Sequence, residues 1–265
     1  MMVFAISKPM LFLTIIIQFI ATVLLSFLLL GCINTSSNYS SVYLFQYKYN
    51  SSSTLYKNLS PSLSTNITAT TSASNSTLLS DVHVSIGYLA ACIDIATQKT
   101  CTYYSQIQNI PQFSISFDGV NFNLLNIATS FNEICHPHLL MATIILTLVC
   151  LIILCYMILP LPFRPYMEKF GALLSFINLL LWGLGAMLQL QSVKTSDKMV
   201  QQSSFDLISG VSGSRAEIMT WISFAFNFIV FASLLLMNWQ RFRTNRDLIN
   251  EDANIVSQTY LNEKV

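Results

Sequence analysis

Charge is scarce in this chain. Asp, Glu, Lys and Arg make up 9% of its 265 residues while 53% are apolar, a balance that does not suit a water-soluble surface. Four stretches, residues 10–30, 139–159, 170–190 and 218–239, contain no acidic or basic side chain at all. Each is long enough to cross about 30 Å of hydrocarbon as a helix. A stand-alone cation pore usually needs carboxylates or carbonyl-lined re-entrant segments at membrane depth, so the missing charges argue against one. Catalytic signatures are missing too. The chain has no Gly-x-Ser-x-Gly, no His-Glu-x-x-His and no phosphate-binding glycine-rich loop, and it reads as a non-enzyme without a cofactor. The lipid bilayer is its first expected partner, and nucleic acid is not expected.

Four spans place both termini on one side, and Arg241, Arg243 and Arg246 after the last span favour the cytosol for that side. Lys8, Arg164 and Lys169 agree, whereas Lys194, Lys198 and Arg215 oppose them. Sequons give the stronger signal. Asn34, Asn38, Asn50, Asn58, Asn66 and Asn75 each begin an Asn-x-Ser/Thr site, and all six fall between the first two spans. The expected order is a cytosolic N-terminus (1–9), a first span (10–30), a glycosylated outer loop (31–138), a second span (139–159), and a cytosolic turn (160–169). A third span (170–190), a second outer loop (191–217), a fourth span (218–239) and a cytosolic tail (240–265) complete it. The first apolar run, at 21 residues, exceeds the usual signal-peptide core of about 7–15 and is read as a span. Leu29-Leu30-Gly31-Cys32 has the look of a bacterial lipoprotein processing site, but three further spans and dense sequons oppose that reading.

Within the first outer loop, residues 51–78 are rich in Ser, Thr and Asn and read as a glycosylated, flexible insert. Before it, period-two alternation puts Tyr43, Phe45, Tyr47 and Tyr49 on one face of a strand. After it, residues 82–95 and 113–117 also read as strands, and 123–135 as a helix. Gly87-Tyr88-Leu89-Ala90-Ala91-Cys92 and then Cys101 lie in this part. Nine positions separate the two cysteines, so a bridge between adjacent strands would close a short loop and contribute roughly 2–3 kcal/mol. A redox or metal role for the pair is the other reading. Gly87 permits close backbone approach, and Tyr88 and Leu89 can line the membrane-facing rim of the sheet.

These residues resemble the claudin-like proteins, which have four spans, a long first outer loop, and a cluster spaced as in Gly87-x4-Cys92 followed by a cysteine like Cys101. The implied fold is a mainly α claudin-like four-transmembrane-helix bundle carrying a small disulfide-braced extracellular β-sheet. Gly31-Cys32, Ser41-Val42-Tyr43-Leu44-Phe45 and the glycosylated loop look most like the fungal mating-factor-induced family of calcium regulators and membrane fusion proteins, over residues 10–240. Two departures stand out. The first outer loop has no tryptophan, so claudin-type polymerisation is not carried over, and Ala90 stands where glycine is common. The resemblance implies a plasma-membrane protein at the mating projection, needed for low-affinity calcium influx and cell fusion. Calcium-channel or fusion-machinery membrane proteins and further copies of the chain are the partners it implies. A PalI-type organiser of membrane domains, or an adhesion protein, is the alternative.

Further residues are candidates for chemistry. In the outer loop Asp81, Asp94, Asp118 and Glu133 outnumber Lys48, Lys57 and Lys99 by one, and Asp94 and Asp118 are candidates for attracting cations. His136-Pro137-His138 lacks a complete metal ligand set, and no metal is expected. Cys32 and Cys135 both fall at the outer membrane edge, where pairing is an open option, while Cys150 and Cys155 lie inside the second span. Gln18, Asn178, Gln189 and Asn227 are the polar amides of the spans, read as helix-to-helix hydrogen-bonding groups.

Overall fold

A helix in hydrocarbon must satisfy its own backbone polar groups, and the four uncharged runs lie almost wholly within long helices of the computed structural model. The structure describes residues 2–54, 56–57, 82–95, 98–109, 114–117, 120–135, 137–159, 163–204 and 206–262. Its longer helices are α1 (Met2–Leu29), α2 (Leu124–Ile134), α3 (His138–Ile158), α4 (Arg164–Ser203) and α5 (Ser214–Asn262). The protein is mainly helical, and α1, α3, α4 and α5 are long and apolar enough to cross a membrane. They close a ring in which α1 packs on α3 and α5, and α4 packs on the same two helices.

The faces of these helices are reversed relative to a water-soluble bundle. Phe12, Ile145, Ile152, Leu184, Met187 and Trp239 are exposed, whereas Gln18, Thr147, Asn178, Ser223 and Asn227 are buried. With lipid as the solvent, burial of apolar surface does not drive association, and interhelical hydrogen bonds and close packing do. Gln18 Nε2 donates to the Thr147 carbonyl at 3.3 Å, Asn178 Nδ2 to Asn227 Oδ1 at 3.0 Å and Trp182 Nε1 to Ser223 Oγ at 3.0 Å. These bonds join α1 to α3 and α4 to α5.

The strands are β1 (Phe45–Tyr49), β2 (Val82–Ile86), β3 (Ala90–Ile95), β4 (Gln98–Tyr103), β5 (Ser114–Phe117), β6 (Val120–Asn123) and β7 (Ile208–Ser212). Five of them form one antiparallel sheet in the order β4-β3-β2-β1-β7, and β5 pairs with β6 separately. Alternation in β1 buries Phe45, Tyr47 and Tyr49 on one face. Phe45 stacks on Phe131 of α2 with ring centroids 6.1 Å apart, and the Tyr47 hydroxyl bonds Ser196 Oγ on α4. Each such ring contributes about 1.5–3 kcal/mol when fully buried. The sheet is thereby fastened to the end of α4 that runs past the third apolar stretch.

Several elements differ from the sequence reading. Residues 82–95 are not one strand but the hairpin β2–β3, because the chain turns at Tyr88-Leu89. The presumed loop 191–217 is mostly structured: α4 continues to Ser203, β7 adds the fifth strand, and α5 begins at Ser214. Two glycines make β7 fit. A Cβ on Gly213 would sit 1.7 Å from the Tyr43 carbonyl oxygen, and one on Gly210 would sit 2.1 Å from the Phe45 ring. For the tail the sequence reading named no element, and α5 runs on to Asn262. Within 123–135 the helix is α2, with the Asn123 side chain accepting the Leu125 N–H at 2.9 Å as an N-cap. Residues 58–78 of the insert, together with Asp81, Phe113, Asp118, His136 and Pro160 to Pro162, lie outside the described residues.

Candidate functional site

The motif Gly87 to Ala90 is the β2–β3 turn, a two-residue loop closed by the Gly87 N–H donating to the Ala90 carbonyl at 2.9 Å. It is pressed against the end of α1: a Cβ on Gly87 would lie 2.4 Å from the Gly31 carbonyl oxygen. No side chain fits there. The Tyr104 hydroxyl donates to the Gly87 carbonyl at 3.1 Å, and the Leu44 N–H to the Ile86 carbonyl at 2.7 Å. Turn, β1 and the α1 end are thus held as one unit.

Tyr88 leaves the turn toward the bundle and is buried. Its hydroxyl donates to Gln189 Oε1 on α4 at 2.9 Å, and Thr220 Oγ1 on α5 donates to the same oxygen at 3.1 Å. Burial pushes the phenol well above its ordinary value of 10, with the neighbouring Cys135 adding to the effect, so Tyr88 remains a neutral donor. One motif side chain therefore reaches both α4 and α5. Leu89 is half-buried, and its carbonyl accepts the Tyr104 N–H at 3.4 Å.

Cys92 and Cys101 face each other on β3 and β4 and are joined by a disulfide, with Cα atoms 4.0 Å apart. Ala90, fully buried, packs with Cys92 and Cys32, which accounts for a small residue at that position. Cys32 takes a left-handed backbone conformation (φ 64°), and its carbonyl oxygen lies 3.3 Å from the Cys92 sulfur. Cys32 and Cys135 are not joined, and both are free thiols. Burial pushes Cys32 up to about 12, with Lys99 acting slightly the other way, and pushes Cys135 up to about 11, with the Tyr88 hydrogen bond opposing. Cys150 is buried in α3 and Cys155 is exposed on it.

Asp94 is half-buried and ion-paired across the strands with Lys99 at 3.8 Å, while Asp118 lies outside the described residues. Among the described residues no three His, Cys, Asp or Glu side chains gather as metal ligands would. Of the sequons, Asn34 and Asn38 are exposed at the sheet end of the bundle. Asn50 is half-buried, and its side-chain oxygen accepts the Ser52 N–H at 3.1 Å. Asn58, Asn66 and Asn75 lie outside the described residues.

Sequence reasoning treated Gln189 only as interhelical glue and passed over Thr220 and Tyr104. An amide at the next-to-last position of the third apolar run was the available signal for Gln189. At the opposite end, buried Glu168 on α4 accepts Arg241 Nη1 of α5 at 2.6 Å, and Asn238 Nδ2 donates to the Glu168 carbonyl at 3.3 Å. That arginine, read above only as a topology marker, ties α4 to α5.

These features define a multi-pass membrane protein in which the segment between the first two spans builds most of a disulfide-closed antiparallel sheet and sends a motif tyrosine into the helices. Residues 68–240 match the family described as Ca2+ regulator and membrane fusion protein Fig1. The chain is also 31% identical over 271 residues to Factor-induced gene 1 protein of Saccharomyces cerevisiae, spanning 89% of this chain and 85% of that protein. The chain belongs to the Fig1 family.

Proposed function

We propose that this protein is a plasma-membrane regulator of low-affinity calcium influx that also promotes membrane fusion during mating. It works through partners, with a claudin-like outer sheet as the regulatory part. The family match across residues 68–240 carries the calcium and fusion reading. What favours a regulator over a pore is the interior of the bundle: Asn178 Nδ2, Trp182 Nε1 and Thr220 Oγ1 each donate to a side chain of the neighbouring helix, and among the described residues of the spans only the acceptors Gln18 Oε1 and Asn178 Oδ1 are buried without a partner. The proposed orientation puts the sheet, the Cys92–Cys101 bridge and the glycosylated Asn34, Asn38, Asn50, Asn58, Asn66 and Asn75 outside, and both termini in the cytosol. A disulfide and sequons at one end, with Arg241, Arg243 and Arg246 toward the other, support that orientation. Asp94, two residues after Cys92, and Asp118 are the carboxylates proposed to draw cations weakly to the outer face, with the share of Asp94 reduced by its pairing with Lys99.

The test is calcium uptake in pheromone-exposed cells lacking the protein, complemented by wild type or by Cys92→Ser/Cys101→Ser at matched surface level. Uptake restored by wild type alone is the expected result. Normal uptake in the deletion would sink the calcium role and leave membrane organisation or adhesion.

A further inference from the structure

A cleft of about 370 Å³ opens between α1 and α5 at the sheet end of the bundle. That size falls among small-ligand sites, which run roughly 300–1,000 Å³. Phe19, Ile20, Val23 and Phe27 of α1 and Met219 of α5 form its apolar wall, and Arg215, in the first turn of α5, stands at its rim beside Asn38. Phe19 is 57% and Phe27 37% exposed, so the wall is open sideways to the surrounding hydrocarbon. From Phe19 to Phe27 the helix rises about 12 Å, enough for much of one extended acyl chain.

We propose that this cleft holds one glycerophospholipid from the leaflet on the sheet side, an acyl chain along the α1 wall and its phosphate on the Arg215 guanidinium. Charge complementarity selects that occupant. Arg215 lies three residues before the uncharged run of α5, at headgroup depth, and no carboxylate among the described residues pairs with it. Glu217, two positions on, lines a different cleft with Leu44, Gln189 and Trp221 and so does not neutralise it. Arg215 Nη1 donates to Ser41 Oγ at 2.8 Å, which orients the planar fork and leaves its other N–H donors for phosphate oxygens. A sterol would fill the wall but leave the guanidinium without an anion. A second copy would have to bring a carboxylate such as its Glu217 into this cleft, and the test reads that outcome as a lipid-free dimer.

The test is native mass spectrometry of the full chain in micelles containing equal amounts of a diacyl phosphatidylcholine, the diacylglycerol with the same chains, and ergosterol. Three proteins are compared: wild type, Arg215→Gln, and Val23→Trp, which fills the cleft. An intact Cys92–Cys101 bridge and a single elution peak qualify each preparation, and Val23→Phe replaces Val23→Trp if that variant does not fold. Wild type is expected to retain one phospholipid. Arg215→Gln should lower phospholipid retention about tenfold and leave diacylglycerol retention unchanged, as loss of a charge-assisted contact does. The cleft-filling variant should lower both. Equal phospholipid retention by wild type and Arg215→Gln, unaltered retention by the cleft-filling variant, preference for the sterol, a lipid-free dimer, or no retained lipid would each overturn the proposal.

Discussion

Replacing Tyr88 with Phe isolates the link between the outer sheet and the bundle. The ring still fills its buried site, and what is lost is the hydroxyl bond to Gln189 Oε1 at 2.9 Å together with the weak contact to the Cys135 thiol. That oxygen keeps the Thr220 Oγ1 donor at 3.1 Å, so no buried acceptor is stranded, and the cost should be the net value of one hydrogen bond, about 0.5–1.5 kcal/mol. Gln189→Leu is different. It leaves the Tyr88 hydroxyl with only the weakly accepting Cys135 sulfur nearby, while the single Thr220 hydroxyl proton goes to the Ala216 carbonyl at 2.8 Å. One nearly stranded buried donor puts its cost at roughly 1–3 kcal/mol. Adding Tyr88→Phe to Gln189→Leu removes that donor, so the double variant should be no less stable than Gln189→Leu alone. Thermal unfolding of the four proteins in the same micelles measures this. At this chain length 1 kcal/mol is worth about 2–4 °C. Strictly additive losses would refute the network, and uptake unaffected by Tyr88→Phe at matched surface level would separate the network from regulation.

A Cβ at Gly87 meets backbone rather than a pliable side chain, so Gly87→Ala should destabilise the protein by roughly 2–4 kcal/mol; an unchanged unfolding temperature would refute that packing. The Cys135 thiol, raised from 9.0 to about 11, should be alkylated at pH 8 about 100-fold more slowly in the folded protein than in the unfolded chain. Because the unfolded chain loses that proton near pH 9 and the folded protein near pH 11, stability should fall as pH rises across that window, and Cys135→Ser should lessen the fall in unfolding scans. Glu168→Gln removes the partner of Arg241, whose side chain is 35% exposed, and should cost roughly 1–3 kcal/mol, between the surface and buried limits for an ion pair. With Lys99 at 3.8 Å offsetting its charge, Asp94→Asn should change calcium uptake by less than about twofold, whereas a large loss would assign Asp94 a direct role.

The helices were legible because hydrocarbon imposes length and the exclusion of charge, constraints that each apolar run displays by itself. The inward face of β1 was legible for a similar reason: Phe45, Tyr47 and Tyr49 carry their own period. What escaped the sequence depends on partners far along the chain. Ile208 to Ser212 contains a glycine and two serines and has weak strand character alone, and it pairs because Gly210 and Gly213 let it lie against Phe45 and Tyr43. The break in 82–95 was hidden because the run is apolar on both sides of Gly87. That glycine turns where the Gly31 carbonyl approaches, 56 positions earlier in sequence. The Tyr88, Gln189 and Thr220 network likewise joins three segments whose proximity no local pattern encodes.

One helix connects all these contacts. α5 starts where the Gly213 N–H donates to the Leu44 carbonyl at 3.0 Å, beside β1, and Thr220, Ser223 and Asn227 then meet Gln189, Trp182 and Asn178 in turn along α4. It ends its apolar course at Arg241, clamped to Glu168. Each contact falls on the α4-facing side of a 49-residue helix that continues to Asn262. A displacement of the sheet at Leu44 or Tyr88 would therefore act on a helix that continues into the tail. Local rearrangement within the bundle would have to break the Asn178–Asn227 and Trp182–Ser223 bonds, whereas a small tilt of α4 and α5 together preserves both. If the outer sheet signals through these helices, substitutions that loosen the pair, such as Asn227→Leu, should weaken the response to an outer-sheet change more than they weaken folding. Calcium uptake compared with unfolding temperature across such a series distinguishes transmission through the paired helices from action by the sheet alone.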